Sequence, residues 1–538
     1  MQKVLTAEEM REVDRLTTEK YGIPSILLME NAAHAAARVI TEKLGGTVTG
    51  KSFLILCGKG SNGGDGAALA RILWTLGADV TVVLVGKVDD TKDAARVNFE
   101  ILKELTNEVT IDLWECESSD EIFGLIERYF PKLQPDIIVD SLFGTGLTRP
   151  LDELHQKLAL FISKYKANCL KTLTLSLDIP SGLKADKANE IGINSKTHLT
   201  VTFTAPKLAN VMSPASNFNG ELVVANIGSP RELIDAAPSK IFLAEKSDAQ
   251  NWLNKTKFSS ASYKNKRGHA LLVGGAKNFA GAAILAGNAA IVSGVGLATV
   301  VAPESVHNAI ASRMLPEVMT RSAAETANGA IAFEAAGEIL EFIEGKIDAA
   351  AVGSGMSSNE ESTRRFAREF VEKRKTPVVI DADALNALAP FDLEGSDELP
   401  LILTPHQGEF LKLLGAKDAN RIKDRVKAAR DFAEKHRVIL VLKGERTLIA
   451  APDGRVVINP TGNSGLGKAG NGDTLVGIVC GFVAQAVQMK IDIFETVVAA
   501  VYLSGTAGDI AAERFGRRTM LATDVRESLG KAFESITN

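Results

Sequence analysis

Two glycine-rich loops, each closing on an aspartate, lie far apart in the chain. They are Gly58-Lys59-Gly60-Ser61-Asn62-Gly63-Gly64-Asp65-Gly66 and Gly465-Leu466-Gly467-Lys468-Ala469-Gly470-Asn471-Gly472-Asp473. Residues without side chains let backbone N–H groups reach an anion, and a helix start just beyond them favours negative charge. In the first half, two more turns carry the same mixture of glycine and oxygen donors, Asp140-Ser141-Leu142-Phe143-Gly144-Thr145-Gly146 and Asp178-Ile179-Pro180-Ser181-Gly182. Asn62, Asp140, Asp178 and Ser181 suit a weakly held cation beside a phosphate-bearing ligand. Any one of these turns alone reads as an Asp-capped turn; three at strand ends that can converge point to a site. In the second half, Asp473 at a helix start can take a proton from a hydroxyl while the amides around Gly470, Asn471 and Gly472 neutralise a transferring phosphoryl group. In isolation such an aspartate is a helix N-cap.

The elements that must hold these loops follow from the hydrophobic pattern. Aliphatic and β-branched runs at 53–57, 80–85, 137–139, 173–177, 199–203 and 222–227 alternate with helical periodicity, including Leu69, Ile72, Leu73 and Leu76 after the first loop. That alternation predicts a doubly wound α/β sheet with ligands at the carboxyl ends of its strands. A second series follows at 270–273, 297–301, 349–352, 378–380, 401–403, 438–442 and 448–450, with Ile422, Val426, Ala429 and Ala433 marking an amphipathic helix between the fifth and sixth runs. The turn-rich Gly228-Ser229-Pro230-Arg231 and Ala236-Ala237-Pro238-Ser239 separate the two series. The expected division is a domain at 1–230, a linker at 231–242 and a domain at 243–538.

A chain of 538 residues exceeds what one core serves, which agrees with two domains. The net charge of -5 and the lack of a basic run argue against nucleic acid. Cys57, Cys116, Cys169 and Cys480 show no metal spacing and are expected to be reduced, mostly buried thiols. Thr6 and Glu9 have capping-box spacing in a charged amino terminus that lacks an apolar signal core, so a cytoplasmic location without export is expected. Residues 278–303 carry no charge, but Gly281, Gly287, Gly294, Gly296 and Asn288 interrupt them. They divide into a helix at 281–293 and a strand at 297–301 better than into a membrane span.

The three turns of the first half resemble those of the NAD(P)H-hydrate epimerase family over residues 6–227, where the first loop reads Gly-x-Gly-Asn-Asn-Gly-Gly-Asp-Gly. The resemblance implies a Rossmann-like domain holding potassium (K+) near Asn62, Asp140 and Ser181. It implies substrate contact by Ser61, Asn62, Gly63, Gly64 and Asp65 and by Gly144, Thr145, Gly146, Leu147, Thr148, Arg149 and Pro150. Asp178 would touch the hydrated nicotinamide ring and serve as acid and base during inversion at C6. Ser61 stands where the family has Asn, a loss of one amide hydrogen bond at about 1 kcal/mol, so altered affinity is expected rather than lost activity.

Residues 243–537 resemble the NAD(P)H-hydrate dehydratase branch of the ribokinase-like family. The resemblance rests on Gly274-Gly275, Gly281-Ala282, Val352-Gly353-Ser354-Gly355, Asp381-Ala382-Asp383-Ala384-Leu385, Thr404-Pro405-His406-Gln407-Gly408-Glu409 and Lys443-Gly444. It implies that Ala282, Gly355, His406 and Asp473 contact the hydrated dinucleotide. Lys443, Gly444, Glu445, Arg446, Thr447 and Gly472 would hold ADP or ATP, with Mg2+. Lys468 replaces a family threonine and is expected to add charge beside the phosphates. Together the resemblances imply repair of hydrated NADH and NADPH, with a homo-oligomer expected. The alternative is a small-molecule kinase fused to a noncatalytic ligand-binding or scaffold domain, because the kinase-like fold serves many substrates.

Overall fold

The computed structural model describes residues 1–106, 110–130, 135–168 and 171–537. Chain contacts separate two compact units, Lys3–Ser239 and Lys240–Asn538, with Met1–Gln2 joining the latter. In the first unit a capping box between Thr6 and Glu9 starts the helix Ala7–Tyr21, as the spacing predicts. The sheet consists of seven parallel strands whose spatial order is Ile111–Cys116, Asp79–Val85, Ser52–Cys57, Ile137–Ser141, Leu173–Leu177, Leu199–Phe203 and Glu221–Ala225. Numbered along the chain from Ser52–Cys57, this order is 3-2-1-4-5-6-7. It reverses between the first and fourth strands, which leaves a crevice at their carboxyl ends. Phe53, Leu54, Ile55 and Leu56 are fully buried because helices cover both faces.

Ser61–Thr75 is the helix that opens on the first glycine loop. Leu69, Ile72 and Leu73 point into the core, whereas Leu76 lies just past the helix end and is 48% exposed, so it is not part of the buried stripe. Ile111–Cys116 was not anticipated: an edge strand has one poorly covered face, and Asp112 and Glu115 mask its periodicity.

Parallel strands of the second unit run in the order Val318–Ala323, Leu297–Pro303, His269–Val273, Ala349–Val352, Val378–Ile380, Leu401–Leu403 and Ile439–Leu442. This is again 3-2-1-4-5-6-7, although the two halves share no visible sequence repeat. The antiparallel strands Leu448–Ala450 and Val456–Ile458 extend it, followed by Ile241–Leu243. The segment 231–242, expected as a linker, is largely structured. Arg231–Ala236 is a helix whose Leu233 packs among Leu5, Met10, Val13 and Ala205, while Ile241–Leu243 belongs to the second sheet.

Residues 278–303 form the helix Ala280–Val292 and the strand Leu297–Pro303. The helix lies directly against Asn471–Met489: a Cβ on Gly477 would stand 2.1 Å from the Ala286 carbonyl oxygen, which explains its small residues. Asn471–Met489 and Ile493–Phe515 are long and apolar enough to cross a membrane by length and composition, yet 67% of each stretch is buried inside the unit. Cys57, Cys116 and Cys480 are free and buried; Cys169 lies outside the described residues.

Two candidate active sites

In the first unit the three turns meet at the crevice. Asp140 ends one strand and is fully buried. Its Oδ2 accepts from the Ser176 hydroxyl at 3.1 Å, the Ser181 amide at 2.9 Å and the Ser195 hydroxyl, and its Oδ1 accepts from the Ser181 hydroxyl at 2.5 Å. No ion pair reaches it among the described residues, and a buried charge without one invites a cation. Asn62, 8% exposed, keeps both side-chain polar atoms without a partner. Asn62 Oδ1, the Ser181 hydroxyl and the Asp140 charge therefore fit a monovalent cation with oxygen ligands.

Asp178 lies across the same gap. A Cβ placed on Gly144 would sit 2.9 Å from Asp178 Oδ2 and 3.4 Å from Asn62 Oδ1, so both side chains converge where that glycine leaves space. Oδ2 accepts from the Thr145 amide at 3.2 Å. Asp178 has φ = 64°, a left-handed backbone that costs about 1 kcal/mol or more in a residue with a side chain. The Asp178 amide donates to the Val201 carbonyl at 2.7 Å, and Asn210 Nδ2 donates to the Asp178 carbonyl at 3.2 Å, which hold it there.

Not every glycine of the first loop faces ligand. A Cβ on Gly63 would overlap the Gly58 carbonyl oxygen at 1.7 Å, and one on Gly64 would strike Ala95 and Met29 at 2.7 Å. Ser61 is exposed, and Asp65 sits half-buried at the same helix start. Burial, reinforced by the Asp178 and Asp14 carboxylates, pushes the Asp65 carboxyl well above the usual range despite opposition from Lys207. Of the second turn, Gly146 is open while Leu147 is buried beside Leu151 and Ala159; Thr148, Arg149 and Pro150 are exposed.

Two residues of this site were missed from the sequence. Lys207 is 1% exposed, and its Nζ lies 2.6 Å from Asp178 Oδ1. Its signal was a lone charge between the apolar strand Leu199–Phe203 and Leu208–Val211, where a buried lysine needs a partner. Asp14 shares the inward face of Ala7–Tyr21 with Met10, Val13 and Thr17, and its Oδ1 is buried without a partner. Burial drives its carboxyl up to about 6, with Lys207 opposing and Asp178 adding to the rise.

The second unit presents a cavity of about 960 Å³ lined by Lys443, Gly444, Glu445, Arg446 and Thr447 on one side and by Gly470, Asn471, Gly472 and Asp473 on another. The helix Asn471–Met489 begins on Gly470 at φ = 89° with no side-chain cap, so its first amides are left for an anion. Lys443 Nζ donates to Asp381 Oδ1 at 2.8 Å, and Thr404 Oγ1 donates to the same oxygen at 2.7 Å. Asp381 stands in the sequence only as part of a family motif, with no role of its own; here it faces the cavity and is 2% exposed.

Asp473 has no such counter-ion. Burial raises its pKa; the Ser354 hydroxyl opposes this without reaching hydrogen-bonding geometry, Asp381 adds to the rise and Lys443 counters it. His406 caps Gln407–Leu413 by accepting at Nδ1 from the Gly408 and Glu409 amides at 3.0 and 3.3 Å. That leaves Nε2 as the protonated nitrogen of a neutral ring, on a side chain 61% exposed at the cavity. Ala282 and Gly355 lie outside the cavity lining but touch one another: a Cβ on Gly355 would stand 2.9 Å from that of Ala282.

Lys468 departs from expectation. It lines the cavity, but its Nζ donates to the carbonyls of Arg518 and, at 3.0 Å, Met520, so its charge ties one loop to another. Arg517, from that neighbouring loop, lines the cavity.

Residues 25–209 match the family model described as YjeF-related protein N-terminus, and residues 270–531 match NAD(P)H-hydrate dehydratase. The bifunctional NAD(P)H-hydrate repair enzyme of Moorella thermoacetica is 37% identical over 98% of this chain and 96% of its own. That of Thermofilum pendens is 34% identical over 99% and 97%. A Bacillus subtilis ADP/ATP-dependent NAD(P)H-hydrate dehydratase, co-crystallised with ATP and magnesium, is 31% identical over 55% of this chain and 98% of its own, with a TM-score of 0.48. With relatives that align along nearly its whole length, the chain belongs to the family of bifunctional NAD(P)H-hydrate repair enzymes.

Proposed function

We propose that the unit Lys3–Ser239 epimerises the R and S hydrates of NADH and NADPH, and that the unit beginning at Lys240 returns the S hydrate to the reduced dinucleotide with ADP or ATP. The full-length match to the bifunctional relatives carries this reading. Because water adds to the nicotinamide ring on either face, a dehydratase for one epimer needs a partner that interconverts them.

Inversion at C6 starts with a proton delivered to the hydroxyl. The C6–O bond breaks, water departs, and the ring nitrogen's lone pair forms a C6=N1 iminium. Water then adds to the other face and gives up a proton. Asp178 Oδ2, open toward Gly144 and Asn62, is the atom that carries these protons. Asn62, Ser181 and Asp140 would hold potassium, which when bound offsets the buried Asp140 charge and orders the loop carrying Asn62. Ser61 to Asp65 and Gly144 to Pro150 line the substrate.

In the second unit Asp473 takes the proton of the C6 hydroxyl as the hydroxyl oxygen attacks the terminal phosphorus of the nucleotide, and the bond from that phosphorus to the bridging oxygen breaks to release AMP from ADP or ADP from ATP. Phosphate then leaves C6, C5 loses a proton and the 5,6 double bond returns. Hydroxide is a poor leaving group and phosphate a good one, so phosphorylation makes the elimination feasible. Lys443 to Thr447 and Gly472 hold the nucleotide. Ala282, Gly355 and His406 hold the dinucleotide. Magnesium bound with the nucleotide supplies charge neutralisation; Asp381 and Asp473 are carboxylates it would meet in the cavity. The protein acts in the cytoplasm.

The test incubates pure protein with racemic hydrate, with and without nucleotide and magnesium, and follows both epimers by chromatography. Asp178→Asn should stop epimerisation alone and Asp473→Asn dehydration alone. Equal loss of both activities in either folded variant would refute separate sites. Accumulation of a stable phosphorylated product instead of free phosphate would favour the kinase alternative.

A further inference from the structure

The two oxygens of Asp178 have different surroundings. Oδ1 receives two donors, Lys207 Nζ at 2.6 Å and Thr202 Oγ1 at 3.1 Å. Among the described residues, Oδ2 receives only the Thr145 amide, and it faces the space left by Gly144. An ammonium has three N–H groups. Those of Lys207 go to Asp178 Oδ1, to Thr202 Oγ1 at 3.0 Å and to the Phe203 carbonyl at 3.0 Å, so none is left for substrate. Lys207 is itself anchored: its amide donates to Asn210 Oδ1 at 2.9 Å, and Asn210 Nδ2 holds the Asp178 carbonyl. The side chain thus works from behind the acid.

We propose that Lys207 is a positioning residue for epimerisation, binding Asp178 through Oδ1 so that Oδ2 is the oxygen presented to the C6 hydroxyl. The proposal rests on the assignment of Asp178 as the acid and base. Asp178, from the turn after Leu173–Leu177, pairs with this ammonium, and Asp14 from Ala7–Tyr21 and Asp65 from Ser61–Thr75 also feel its charge. Without it they would oppose one another across a poorly solvated gap, and Asp178 would lose the partner that fixes its rotamer.

The full-length chain tests this with Lys207→Met, Lys207→Arg and Thr202→Val, measuring epimerase kcat and KM alongside nucleotide-dependent dehydration of pure S hydrate. Misplacing a reacting group by about 1 Å costs about 10²-fold. Lys207→Met should lower epimerase kcat by about that factor with KM within about twofold, because Lys207 does not touch substrate. Lys207→Arg should recover part of kcat, and dehydration should be unchanged. A merely structural lysine would give a lower melting temperature or a raised KM without that kcat loss. Should Lys207→Met not fold, Thr202→Val removes one of the two Oδ1 donors and should lower kcat about three- to tenfold at constant KM. Unchanged kcat in folded Lys207→Met, or in Thr202→Val where that is the variant that folds, overturns the proposal while Asp178→Asn remains inactive. If Asp178→Asn itself epimerises normally, the assignment of Asp178 falls first.

Discussion

The two units build sheets of the same strand order and then use them differently. In the first, the aspartate proposed as acid and base pairs directly with a lysine, Asp178 with Lys207 at 2.6 Å, and the candidate site occupies the crevice where the strand order reverses. In the second, Lys443 pairs with Asp381 at 2.8 Å, and Asp473 stands half-buried beside that pair without a counter-ion of its own. The second cavity lies further along the sheet, beyond the ends of Val378–Ile380, Leu401–Leu403 and Ile439–Leu442, because the loop from Asn459 to Asp473 folds over those strands. Pairing decides the chemistry each acid suits. An anchored carboxylate keeps its geometry while passing a proton back and forth, whereas an unpaired buried one binds a proton more tightly and is the stronger base toward a hydroxyl.

The contrast is most directly attacked at Asp473. Asp473→Asn should reduce dehydration by about 10² to 10⁴ in kcat and leave epimerisation intact, as measured by recovery of reduced-nicotinamide absorbance. In the wild-type chain the base must be ionised, and its pKa is raised. Dehydratase kcat should therefore fall with decreasing pH through a limb above the usual carboxylate range. A limb at or below that range would contradict the raised pKa of Asp473.

Next in size is Lys443→Met, which strands Asp381 as a buried charge. Removing one partner of such a pair costs about 2 to 5 kcal/mol. The variant should raise the nucleotide KM by about 30-fold or more while epimerase rates stay constant; an unchanged KM would remove Lys443 from the nucleotide site.

Asp14→Asn probes the crowded side of the first site. A carboxyl raised to about 6 stabilises the fold in its protonated form, fully below the ordinary carboxylate value, and loses that contribution as pH rises through about 6. The variant should gain about 1 to 3 kcal/mol over wild type at pH near 7.5 and little near pH 4. Calorimetry of the full chain at both values checks the sign, and a variant less stable than wild type at the higher pH would contradict it. Smallest is Lys468→Thr. Since the ammonium is spent on the Arg518 and Met520 carbonyls, nucleotide KM should change less than about threefold. A tenfold rise would return Lys468 to the phosphates.

Legibility in the sequence tracked burial on both faces. Strands such as Ser52–Cys57 and Leu401–Leu403 appear as unbroken aliphatic runs because helices cover them on each side. Val318–Ala323 is an edge strand whose exposed Met319, Arg321 and Ser322 break the aliphatic run, and Val456–Ile458 is only three residues long. The site loops were visible as motifs, but their partners were not. Lys207 reaches Asp178 across 29 residues and Lys443 reaches Asp381 across 62.

Local chemistry alone thus determined that the chain alternates strand and helix in two series, that glycine loops and aspartates end particular strands, and that a family's signatures recur in each half. Those properties depend on residues close together in the chain, where backbone preference and periodicity act. Which oxygen of Asp178 is anchored, which aspartate Lys443 neutralises, and where the Lys468 charge goes were decided by tertiary structure. A buried ion takes whichever partner the packing brings within about 3 Å, and sequence spacing carries no record of that distance.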